Sequence, residues 1–166
     1  MKELVIRQLE ERGVTLADVA ELVFVLQRPY YPDLNIDYCL QNVLAVLAKR
    51  EVQYALMVGI LLDTYAEHRL LPEPLQSVIA EDNPLFGIDE ILALSITNVY
   101  GSIGLTNFGY LDKTKVGILG TINGHAYAVH TFLDDLVAGL AAAASARIAH
   151  AGPAEVPVMI AKAGDG

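Results

Sequence analysis

His130-Thr131-Phe132-Leu133-Asp134-Asp135-Leu136-Val137-Ala138-Gly139-Leu140 is the stretch whose reading decides the fold. Leu133, Leu136, Val137, Leu140 and Ala144 recur at helical spacing, and the Ala-rich sequence that follows lets a helix pack closely against its neighbours. Two adjacent carboxylates stand inside that apolar pattern. Burying an uncompensated carboxylate costs several kcal/mol, so Asp134 and Asp135 require a cation, a basic partner or a water-filled cleft.

Outward from this segment, charge is scarce. Between Ile91 and Ala146 the only charged side chains are Asp112, Lys113, Lys115, Asp134 and Asp135, with Asp89 and Glu90 just before. They fall into three tight groups: Asp89-Glu90 at the start of an expected helix, Asp112-Lys113-Thr114-Lys115 in an expected loop after Gly109, and Asp134-Asp135 on the late helix. Each group alone reads equally as a helix-end or loop charge facing solvent. Brought together without a counter-charge, five carboxylates would raise one another's pKa values and destabilise the fold. A divalent cation removes that conflict. All-oxygen donors favour Mg²⁺, Mn²⁺ or Ca²⁺ over zinc, and Mg²⁺ held by a few carboxylates is the usual partner of a phosphate substrate, with Lys115 available to the phosphoryl oxygens.

The first half of the chain reads as helices separated by turns. Residues 2–12 form an amphipathic helix stopped by Gly13; Thr15 caps a second helix to about Gln27, with Asp18 in its first turn. Arg28-Pro29-Tyr30-Tyr31-Pro32-Asp33 is a turn whose tyrosines read as packed loop residues. Asn35 or Asp37 starts a third helix through Leu47, and a fourth runs from about Glu51 to Leu70. On that fourth helix Asp63 and Glu67 share a face beside His68, read as a solvated helix end in preference to a metal site. Pro72-Glu73-Pro74 breaks the chain, a short helix spans Leu75 to Ala80, and Glu81-Asp82-Asn83-Pro84 turns again. No strand alternation is visible. The expected fold is all-α: one multi-helix bundle of roughly six to eight helices over residues 1–150, with 151–166 a loose tail.

Composition bounds the function. The 166 residues suit one domain, and 54% hydrophobic against 19% charged residues exceeds the balance of an average soluble domain. A formal charge of -9 with no basic face argues against nucleic acid as a partner. Cys39 is the single cysteine and lies in an apolar helical pattern, which suits an inert buried thiol in a reducing cytoplasm. Met1-Lys2-Glu3 leads into a charged amphipathic segment instead of a secretory signal. Residues 91–111 carry no charge and reach the length of a membrane span, but Ser95, Thr97, Asn98, Gly101, Gly104, Asn107 and Gly109 interrupt them, so a buried hairpin or helix-plus-loop is expected.

Other motifs are weaker. The glycines of Gly101-Ser102-Ile103-Gly104 and of Gly117 to Gly124 lack the Gly-Lys-Ser/Thr ending of a phosphate loop, no Gly-x-Ser-x-Gly elbow is present, and His125 and His130 read as hydrogen-bonded core residues more readily than as ligands.

Asp89-Glu90-Ile91-Leu92, then Leu111-Asp112-Lys113-Thr114-Lys115 followed by Val116 to Leu119, and finally Asp134-Asp135-Leu136-Val137-Ala138-Gly139 stand in the order and separation of three motifs of one family. Over about residues 55–150 the chain resembles the phosphatidylglycerophosphatase A family, in particular its compact Gram-positive members, some labelled low-temperature-requirement C proteins. Val116 and Gly117 replace the family's prolines after the lysine, and Ala126 to His130 replace its glycine-rich run before the paired aspartates. The resemblance implies a Mg²⁺-dependent phosphomonoesterase that converts phosphatidylglycerophosphate to phosphatidylglycerol. It implies Asp89, Glu90, Asp112, Asp134 and Asp135 as metal or water-orienting residues, Asp134, Asp135 and Lys115 as the catalytic group, and a lipid substrate met at the inner face of the cell membrane. Two further readings stay open. One is a soluble phosphate-ester or nucleotide pyrophosphate hydrolase, although the paired Glu-x-x-Glu helices of the latter are missing. The other is a non-enzymatic homo-oligomer in which residues 91–111 and the Ala-rich helix form interfaces and the acidic groups hold a structural cation.

Overall fold

The computed structural model describes residues 1–123 and 128–152; His125, much of the segment before the paired aspartates and most of the expected tail, 153–166, lie outside the described residues. Nine α-helices occur among the described residues, and no strand: α1 (Lys2–Glu11), α2 (Leu16–Gln27), α3 (Ile36–Leu47), α4 (Arg50–Glu67), α5 (Leu75–Ala80), α6 (Ile88–Thr97), α7 (Gly101–Thr114), α8 (Ile118–Asn123) and α9 (Leu133–Ala151). The expected all-α single domain is what forms. Seven of them run ten residues or more, in line with the expected six to eight, and α5 and α8 have six residues each.

Local chemistry accounts for the starts of these helices. Thr15 and Asp18 form a reciprocal capping box on α2, and the Asn35 side chain accepts from the Tyr38 amide on α3. α9 is the axis of the molecule. α2, α3, α4, α6 and α7 all pack on it, and every residue from Leu133 to Ala146 is buried. A helix apolar on all sides belongs in a core, and alanine lets its neighbours approach closely. The Ala-rich helix is therefore internal, which removes it as a subunit interface.

Residues 91–111 are interrupted between two helices as expected, but the segment is not buried as a whole. A single 3₁₀ turn (Asn98–Tyr100) and Gly101, at φ 71°, separate α6 from α7. A Cβ built on Gly104 would lie 2.9 Å from the Thr97 carbonyl oxygen, an approach impossible in one straight helix. Both helices keep one face on α9, while Ile88, Ile91, Val99, Leu105 and Tyr110 on the span from Ile88 to Thr114 stay exposed. Cys39 is buried and its thiol is pushed up to about 12 by burial, which makes it unreactive.

Candidate metal centre

Three helix ends meet at one end of α9. Asp89 and Glu90 occupy the first turn of α6, Asp134 and Asp135 the first turn of α9, and Asp112 the last turn of α7. Asp112-Lys113-Thr114 are thus helical and not in a loop; only Lys115 leaves the helix, as its C-cap. The charge pattern suits the backbone. Carboxylates sit at two positive helix N-termini, and the ammonium sits at a negative C-terminus. Gly87, at φ 67°, makes the left-handed turn into α6, after which Asp89 is nearly buried and Glu90 stays exposed beside it.

Lys115 organises one half of the cluster. Its Nζ donates to Asp112 Oδ1 and Asp134 Oδ2, both at 2.7 Å, and lies 3.7 Å from Asp135 Oδ1. The residue holds φ 45° and ψ 45°, a left-handed conformation that costs a non-glycine residue about 1 kcal/mol. Its ion pairs offset that strain. Burial acts to lower the Lys115 pKa, but the hydrogen bonds to Asp112 and Asp134 prevail and raise it, so the ammonium stays charged.

In the other half, Asp89 and Glu90 have no ion-pair partner among the described residues, and Asp135 has only the more distant Lys115 ammonium. Asp89, Glu90 and Asp135 each offer an oxygen within 4.8 Å of the others'. Asp89 is nearly buried, and its Oδ1 is buried without a hydrogen-bond partner. Burial, then the neighbouring Asp134 charge, pushes Asp135 up to about 8. Asp134 is raised by burial despite Lys115, and Glu90 is raised by burial and by the charges of Asp89 and Asp112. A carboxyl oxygen buried with no donor, inside a set of oxygen ligands, is a chemical fit for a hard divalent cation. All five acidic residues expected from the sequence converge here, in two subsets: Asp112 and Asp134 on the Lys115 ammonium, Asp89 and Glu90 with Asp135 beside it.

Three carboxylates take roles that the sequence did not suggest. Asp63 and Glu67 on α4 are not a solvated face. Asp63 is fully buried and accepts from the Phe132 amide (3.0 and 3.2 Å) and the Leu133 amide (2.9 Å), capping α9 from another helix. Glu67 accepts from Arg12 at 2.9 Å and from the Val129 amide at 3.1 Å, and Arg12 also donates to the Val129 carbonyl. Together they hold the strand of chain that delivers Asp134 and Asp135. The signal was present in the sequence: Asp63 is the only charged residue between Val52 and Ala66. Asp82, read only as part of a turn and exposed overall, is the third. Its carboxyl is raised by burial and by the charges of Asp134 and Asp89, and it lines a polar cavity of about 180 Å³ with His130 and Thr131. Thr131 Oγ1 donates to the Ile79 carbonyl at 2.6 Å, which holds the Asp82 turn against the start of α9. His130 Nδ1 lies 3.1 Å from the Ile122 carbonyl.

Residues 5–150 match the family model described as Phosphatidylglycerophosphatase A. YpjQ of Bacillus subtilis (strain 168) is 56% identical over 142 residues, 86% of this chain and 80% of that protein. The crystal structure of the low temperature requirement C protein of Listeria monocytogenes superposes with a TM-score of 0.88 at 56% identity, over 90% of this chain and 95% of that one. A Bacillus stearothermophilus protein of unknown function superposes with a TM-score of 0.89 at 55% identity, over 91% and 94%. With nearly its whole helical domain covered by the family model, the chain belongs to the phosphatidylglycerophosphatase A family.

Proposed function

We propose that this protein is a Mg²⁺-dependent phosphomonoesterase that hydrolyses phosphatidylglycerophosphate to phosphatidylglycerol and phosphate, with Mn²⁺ able to replace Mg²⁺. What carries this reading is the pairing of an oxygen-ligand cluster, with a buried partnerless Asp89 oxygen, and a fixed ammonium, Lys115, at its edge. Membership of the family supports the reaction class.

Asp89, Glu90 and Asp135 would hold the ion, with Asp112 and Asp134 adjoining. Bound there, it supplies neutralisation of phosphate charge and a lowered pKa for a coordinated water. Lys115 binds a phosphoryl oxygen; its ammonium is kept charged and aimed by Asp112 and Asp134, so it meets the substrate without reorganising. Asp134 thereby acts both as part of the cluster and as the anchor of Lys115.

A lipid substrate is supported by the uncovered apolar residues beside the cluster: Leu85, Ile88 and Ile91 are exposed on either side of Asp89 and Glu90. The site would therefore work at a membrane surface, on a cytoplasmic protein bound peripherally at the inner face. Purified protein with Mg²⁺ should release phosphate from phosphatidylglycerophosphate in mixed micelles, while Asp134→Asn and Asp135→Asn should lose this activity and keep the helical circular dichroism. Turnover of water-soluble phosphate esters alone would move the substrate off the membrane. Full activity in both variants would end the assignment.

A further inference from the structure

α4 carries an uncovered seam. Tyr54, Val58, Leu61 and Tyr65 succeed one another at intervals of four, three and four residues, and each is 42–50% exposed. That is the a/d spacing of a coiled coil, on a helix whose opposite side packs into the core. The seam continues in register to Glu51 at one end and His68 at the other, both exposed. Between them no exposed side chain of α4 is charged.

The seam is complementary to itself. Laid antiparallel against a copy about a two-fold axis, Val58 meets Leu61 of the partner subunit, Tyr54 meets Tyr65 of the partner subunit, and Glu51 meets His68 of the partner subunit. Each a position then faces a d position, as antiparallel pairing requires, and each acidic end faces an imidazole. His68 Nδ1 lies 2.8 Å from the Thr64 carbonyl, which orients the ring and leaves Nε2 outward. The seam from Glu51 to His68 is about 26 Å long at 1.5 Å per residue. Tyrosine-rich, charge-depleted and self-complementary surfaces are the composition of an isologous interface. A bilayer is a poorer occupant of this face, because the seam presents no lysine or arginine to anionic headgroups.

We propose that α4 is the two-fold interface of a homodimer, formed by antiparallel packing of Tyr54, Val58, Leu61 and Tyr65 and closed at both ends by Glu51 and His68. This assigns the oligomer expected from the high apolar content to α4, away from residues 91–111 and from the Ala-rich α9.

Sedimentation equilibrium on the full chain tests it, independently of any phosphatase activity. The wild type should have twice the 17.9 kDa chain mass. Val58→Glu with Leu61→Glu should give monomers, as should Val58→Lys with Leu61→Lys, because like charges then face each other across the axis. An equimolar mixture of the two should restore a dimer, which also shows that both variants fold. Glu51→Lys, which touches no core, should weaken the dimer about threefold to tenfold. A wild type that stays monomeric to near-millimolar concentration overturns the proposal. So does a dimer that survives both double substitutions, or a monomer whose binding to phosphatidylglycerol vesicles is what Val58→Glu with Leu61→Glu abolishes.

Discussion

Asp63→Ala removes the group that holds the start of α9, and its cost follows from the bonds it makes. The carboxylate is fully buried and accepts two backbone amides, Phe132 and Leu133, which have no other partner in a helix's first turn. Each buried N–H left unsatisfied costs about 1–3 kcal/mol, so the substitution should destabilise the protein by about 2–6 kcal/mol. Asp63→Asn keeps a carbonyl acceptor and should cost about 1–2 kcal/mol. Urea unfolding followed by circular dichroism measures both. Asp134 follows the capped Leu133 amide directly, so a shift of the helix start moves the cluster, and misplacement by about 1 Å costs about 10²-fold in rate. In Asp63→Ala the loss should fall mainly on kcat, with Asp63→Asn intermediate. An Asp63→Ala protein within about 0.5 kcal/mol of the wild type would refute the idea that this cap positions α9.

Asp63 and Asp135 are both pushed up to about 8, chiefly by burial. An acid with a raised folded pKa contributes stability that is present below its unfolded value near 4 and is lost as pH rises through about 8. Thermal unfolding of the metal-free protein should therefore shift downward between about pH 5 and 9, and Mg²⁺ or Mn²⁺ should flatten the profile by favouring the ionised Asp135. A Cβ on Gly139 would lie 3.0 Å from the Ala93 carbonyl oxygen, where backbone cannot yield, so Gly139→Ala should cost about 1–3 kcal/mol and push α6 from α9, read by denaturant midpoint. Lys115→Met leaves Asp112 and Asp134 without their cation; a loss of about 1–3 kcal/mol in stability and of about 10²-fold in phosphate release is expected from parallel unfolding and activity assays.

Much of the site was legible because its chemistry is local. The paired acids at 89–90 and 134–135 stand in first helical turns, where the backbone itself favours them, and their rarity in an apolar half marks them out. Thr15 and Asn35 likewise announce their helices through short-range caps. The role of Asp63 was not legible in this way. A lone carboxylate at helical spacing from Glu67 reads the same whether it faces water or caps a helix some 70 residues later, and only burial distinguishes the two.

By itself the sequence determined an all-α domain, the late helix, and the sparse acidic groups that the fold brings together, since periodicity, capping and charge scarcity act within a few residues. Tertiary structure decided the rest. It placed α9 at the centre, because alanine permits close packing on every side. It divided the acids between the Lys115 ammonium and the cluster of Asp89, Glu90 and Asp135, and it brought in Asp63, Glu67 and Asp82. Those outcomes depend on which helix ends meet and which side chains lose water, and both are set by packing between segments far apart in the chain.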